Sequence, residues 1–217
     1  MRKKTFAAAA LLAAATLTLS ACGSGDEGGS PVAAVSQEAG SAKAATVLDP
    51  PFKKPDLVLT DTHGKKYDLR ARTEGHPTLL YFGYTHCPDI CPATMSNIAV
   101  AKKALPRDER DDLRVVFVTT DPGRDTPAEL GKWLKGIDPQ FIGLTGDFPA
   151  VQAGARSLGI SIEATRKDKN GELVSVHGTQ VVAFSPKTNG GYVLYGEDAT
   201  VDDYTKDLPK LVEGARP

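Results

Sequence analysis

Cys87 and Cys91 are the residues of this 217-residue chain best suited to chemistry. Pro88-Asp89-Ile90 separates them and Pro92 follows. A continuous apolar and aromatic run, Thr78 to Tyr84, delivers Cys87 into a turn. A helix read over Pro92 to Leu105 puts Cys91 at or just inside its start, with the proline at the first turn. Thiols there feel the partial positive charge of the helix N-terminus, which favours thiolate, the form that is both nucleophile and metal ligand. Two thiolates about one helical turn apart can converge on a single soft ion such as Cu(I). The spacing is one residue wider than that of a redox thioredoxin motif, which suits a metal without forbidding a disulfide. A structural zinc site would recruit four protein ligands, and no second cysteine pair exists to supply them.

The chain has three cysteines in all, and the third belongs to the leader. Arg2, Lys3 and Lys4 precede an apolar stretch from Phe6 to Leu19, the pattern of a signal peptide. That stretch is short of the roughly 20 apolar residues of a membrane span. Leu19-Ser20-Ala21-Cys22 then looks like a bacterial lipobox, so residues 1–21 are read as a lipoprotein signal and Cys22 as the lipidated residue. An ordinary cleaved signal followed by an incidental cysteine is the alternative. Lipidation would hold the protein on the outer face of the cell membrane, an oxidising setting. Cys87 and Cys91 are then the two cysteines of the folded part, and so short a loop makes a poor structural staple.

Residues 22–50 are rich in Gly, Ser, Ala and Glu without an apolar period, and are read as a flexible linker. A coil of roughly 28 residues reaches about 30 Å, enough to meet a partner in the same membrane or simply to clear the headgroups. Residues 51–217 alternate strand-like and helix-like segments. Leu57–Thr60 and Lys66–Leu69 flank a turn at Thr62-His63-Gly64. Thr78–Tyr84 and Leu113–Thr120 read as buried strands. Thr126-Pro127-Ala128-Glu129 is a capping box, and Leu130, Trp133, Leu134 and Ile137 share the face of the helix that it opens. Asp147 and Pro149 start a further helix that Gly159 can end. A strand at Ser161–Thr165 leads into the Asn170-Gly171 turn signal. Thr179–Ser185 and Gly191–Gly196 form a second hairpin, and Val201–Val212 a closing helix. The order predicts one α/β domain with a mixed central sheet between helices.

Three segments together resemble the Sco/SenC family of copper-binding proteins: YFGYTHCPDICP at 81–92, FVTTDPGRDTPAEL at 117–130 and FIGLTGD at 141–147. The resemblance covers most of residues 51–213, in order. It implies a thioredoxin-like fold, with one copper ion, Cu(I) or Cu(II), bound by Cys87, Cys91 and a distant histidine. The matching histidine is His177. Family members show an Asp-His pair there, followed by a small hydroxyl residue, whereas this chain has Val176 and Gly178. The missing carboxylate removes a group that could orient the imidazole. The resemblance further implies delivery of copper to the binuclear site of cytochrome c oxidase subunit II, or to another copper-accepting membrane protein. A thiol–disulfide oxidoreductase that reduces the target's cysteines is the competing expectation, using Cys87 and Cys91 as a redox pair. Delivery involves no turnover, so no catalytic residue is expected under the first reading.

Other residues carry less. His86 adjoins Cys87 and is expected to point away from the thiol pair. His63 and His76 sit in turns flanked by Gly or Pro and are expected to be solvated. The resemblance puts Asp121 and Arg124-Asp125 near the copper face, without a ligand role. Arg124-Asp125 also reads as a surface ion pair at a helix start. Trp133 is expected in the core. The chain carries 26 Lys+Arg against 27 Asp+Glu, a formal charge of −1, and no basic stripe, so a nucleic-acid partner is not expected.

Overall fold

The computed structural model describes residues 44–217 apart from residue 172. The signal peptide, Cys22 and most of the linker read from the sequence lie outside the described residues. Among these, no helix is long and apolar enough to cross a membrane.

An eight-stranded sheet forms the centre. Its strands in chain order are β1 (Ala45–Lys53), β2 (Val58–Asp61), β3 (Lys66–Asp68), β4 (Thr78–Gly83), β5 (Arg114–Thr119), β6 (Ile142–Thr145), β9 (Val181–Phe184) and β10 (Gly190–Tyr195). β7 (Glu163–Lys167) and β8 (Leu173–Val176) make a separate antiparallel pair. The helices are α1 (Leu69–Arg72), α2 (Ile90–Lys103), α3 (Arg107–Asp112), α4 (Pro127–Lys135), α5 (Phe148–Arg156) and α6 (Val201–Val212). Across the large sheet the order is β1-β10-β9-β4-β5-β6-β2-β3. β4, β5 and β6 are mutually parallel and the other pairings antiparallel, which is the mixed sheet expected.

β4 and β5 are central because their sequences are apolar throughout, so both faces need cover. Side chains alternate across the sheet. Leu79, Tyr81, Val115 and Phe117 join one core cluster with Cys91, Met95 and Ile98 of α2 and Leu130 of α4. Leu80, Phe82, Val116 and Val118 join the opposite cluster with Val151 and Ala155 of α5.

Several expectations need correction. The linker does not run to residue 50: β1 begins at Ala45 and pairs with β10, with a register irregularity between Val47 and Phe52. The run Pro50-Pro51 lies there, where missing N–H donors break the ladder. β6 extends the sheet beyond β5 and carries the β2–β3 hairpin on its far side. Thr126 accepts from the Glu129 N–H, but its own N–H donates to the Arg124 carbonyl rather than to Glu129. The reciprocal capping box stands instead at Thr200 and Asp203, opening α6.

Candidate metal centre

The site forms where the parallel strands end. β4 and β5 run in the same direction, so the loops that follow them emerge on one edge of the sheet, the usual place for a site in such a layer. The loop after β4 carries Cys87. Asp89 then caps α2 by accepting from the Ile90 N–H, which starts the helix at Ile90 and sets Cys91 in its first turn. β9 runs antiparallel to β4, with Val181 opposite Tyr81. The chain entering β9 therefore arrives beside the chain leaving β4, and His177, four residues ahead of Val181, meets the cysteines.

Among the described residues, Cys87, Cys91 and His177 form a group whose ligand atoms all lie within 4.8 Å of one another. His177 Nε2 is 3.6 Å from Cys87 Sγ and 3.8 Å from Cys91 Sγ. Both cysteines are free thiols. Two sulfurs and one imidazole nitrogen make a donor set suited to a soft ion, above all Cu(I).

The absent Asp before His177 has a replacement that the sequence did not disclose. His177 Nδ1 lies 2.9 Å from the Gly178 carbonyl oxygen. A carbonyl only accepts, so Nδ1 carries the proton and the Nε2 lone pair faces the sulfurs. Gly178 is also required sterically, because a Cβ there would collide with Ile160 Cγ2 and meet Gln180 Oε1 at 2.9 Å. Tyr84 meets the imidazole edge-on at 5.1 Å between centroids and limits its rotation.

The expectation that the helix N-terminus lowers both thiols fails for Cys91. This side chain is fully buried, and desolvation pushes its pKa up to about 12, against hydrogen bonds that favour the thiolate, first that from Tyr81. Burial outweighs the dipole because the dipole acts through exposed, partial charges. Stability should respond. A thiol in the unfolded chain titrates at about 8.5, so between there and about 12 the folded protein holds the extra proton. Stability due to Cys91 is complete below the lower value and is lost as pH rises through the upper one. Urea unfolding of the reduced, metal-free protein should show a loss of roughly 1.4 kcal/mol per pH unit across that window. The slope should flatten in Cys91→Ala; an equal slope would show that other groups cause it.

Asp125 is neither at the surface nor paired with Arg124. It is fully buried and accepts from the Thr85 N–H at 2.9 Å, Thr85 Oγ1 at 2.5 Å and Thr119 Oγ1 at 2.6 Å. It thereby ties the Cys87 loop to the end of β5. Arg124 pairs with the buried Asp121. His86 turns toward Thr85 Oγ1 and Asp125, at 3.1 and 3.5 Å, and away from the sulfurs as expected. His76 is not simply solvated, since Nδ1 is 2.5 Å from Asp112 Oδ1. Trp133 packs on the core with its ring 5.1 Å from that of Phe117.

A family model described as SCO1/SenC matches residues 45–213. The chain belongs to the SCO1/SenC family. A copper-binding protein of Stutzerimonas stutzeri is 30% identical over 162 residues, which are 75% of this chain and 78% of that protein. The mitochondrial SCO1 homolog 1 of Arabidopsis thaliana is 34% identical over 143 residues, 65% of this chain and 42% of its own length. The chain thus spans less than half of that SCO1 relative. Among solved SCO structures, copper-bound ScoI of Bradyrhizobium japonicum superimposes with a TM-score of 0.62 at 30% identity, covering 74% of this chain and 97% of that one. Apo Sco1 of Thermus thermophilus gives 0.68 at 29%, covering 77% and 96%. The mixed sheet and flanking helices are the thioredoxin-like fold of these SCO proteins.

Proposed function

We propose that this chain is a copper metallochaperone: Cys87, Cys91 and His177 hold one copper ion as cargo and pass it on without catalytic turnover. The observation that carries this reading is the convergence of two free thiols and a tautomerically fixed imidazole nitrogen within 4.8 Å. Three donors leave a position through which a ligand of the acceptor can begin exchange. The proposed acceptor is the binuclear copper site of cytochrome c oxidase or another copper-accepting membrane protein. A lipid on Cys22 would keep the domain on the outer face of the cell membrane, within reach of such a partner.

The second reading, a thiol–disulfide oxidoreductase acting on the acceptor's cysteines, draws on the same free thiols. It has no need of His177, whose approach to both sulfurs therefore favours the metal reading. Copper titration of the reduced protein should give one copper per chain and a sulfur-to-Cu(II) charge-transfer band. Cys87→Ser, Cys91→Ser and His177→Ala should each lose that band, with affinity lowered at least about a hundredfold. Disulfide exchange by His177→Ala should remain near the wild-type rate. No copper uptake by the reduced wild type, with efficient dithiol exchange, would hand the function to the second reading.

A further inference from the structure

Tyr81 carries a hydroxyl that its place in the core does not call for. The side chain is 1% exposed and packs against Phe117, 5.8 Å between centroids. A phenylalanine would fill that space, and a hydroxyl taken out of water has to find partners. The phenol oxygen lies 3.5 Å from Cys91 Sγ and donates to it. Thr94, buried one turn along α2 from Cys91, is a second polar side chain that acts on the phenol. The other sulfur, Cys87, accepts from the Cys91 backbone N–H at 3.4 Å. Of these two donors to sulfur, the phenol is the one that a substitution removes.

We propose that Tyr81 is a positioning residue that biases the bound copper toward Cu(I) through its hydrogen bond to Cys91. The inference rests on the copper reading above. A sulfur that accepts a hydrogen bond gives less charge to the metal, and the doubly charged ion loses more by this than the singly charged one. Hydrogen bonding around a cysteine ligand is a known determinant of copper potentials. Tyr81 does this without touching the metal.

The test uses the full reduced chain under anaerobic conditions, one equivalent of copper(II) sulfate, and a redox titration of the loaded protein. Tyr81→Phe should still bind one copper. Its sulfur-to-Cu(II) band should move to longer wavelength, and its preference for Cu(I) over Cu(II) should fall on the order of tenfold. 3-Fluorotyrosine incorporated at position 81, whose more acidic phenol is a stronger donor of nearly the same shape, should shift both readouts the opposite way. An unchanged band and preference in folded Tyr81→Phe would overturn the proposal. So would an equal loss of affinity for both oxidation states with the band in place, since that is what a packing role alone produces. If Tyr81→Phe fails to fold, the 3-fluorotyrosine protein decides: the opposite shift supports the hydrogen bond to Cys91 and no shift refutes it. Failure of the wild type to take up copper would instead remove the metallochaperone reading, and is recognised before any variant is compared.

Discussion

Gly83→Ala is expected to destabilise the protein by about 3 kcal/mol and to disable its metal site at the same time. Gly83 closes β4 in a strand whose residues are all buried. A Cβ there would stand 2.7 Å from Cys91 Sγ, 2.7 Å from Tyr81 Cε1 and 3.1 Å from Phe117 Cε2. None of these neighbours is the loose end of a long side chain. Phe117 and Tyr81 are held by the sheet, and Cys91 by the first turn of α2. Relief must therefore come from moving the helix start away from the strand, which takes Cys91 out of reach of His177. Urea unfolding and copper stoichiometry measure the two effects. Gly64→Ala is the control: it has a positive φ of 76° but no atom within 4 Å, so it should cost about 1 kcal/mol and leave copper binding intact. Full copper occupancy in Gly83→Ala would show that the strand end can give way without the site.

Asp125→Ala should have a comparable effect by a different route. Its carboxylate collects three donors from Thr85 and Thr119 with no exposure to solvent. Deleting it leaves the buried Thr119 hydroxyl and the half-buried Thr85 donors without their acceptor, for a loss of about 3 kcal/mol. The Thr85–Cys87 segment would lose its fastening to β5, and copper affinity should drop by about tenfold through misplacement of Cys87. Asp125→Asn keeps one acceptor oxygen and should fall in between. A change below about 0.5 kcal/mol would return Asp125 to the exposed ion pair that its sequence context suggests.

The residues around the site show where the sequence was informative and where it was not. Cys87 and Cys91 stood out by type, spacing and their place between a strand and a helix, because those properties are local. His177 came from family resemblance, since its approach to the cysteines depends on the antiparallel register of β9 against β4, a tertiary fact. Asp125 beside Arg124 reads as a surface pair in any linear view; only the parallel pairing of β4 and β5 encloses it. Tyr81 hid within an apolar strand, where its hydroxyl gives no periodic signal. The main strands and helices were legible from apolar runs, capping residues and Asn-Gly turns. β6, at four residues, is too short to show a period. β1 follows a low-complexity stretch and contains two prolines, so its pairing with β10 left no mark in composition.

The three donors differ in how far the surroundings let them go. Cys91 is locked between β4 and α2, Cys87 is nearly as enclosed, and His177 sits in the open connection between β8 and β9. A metal held here would be gripped from below and latched from the side. An acceptor would first lift the imidazole latch, then draw Cys87, and reach Cys91 last. Such a site would release its ion in a set sequence, from the half-buried imidazole to the fully buried Cys91.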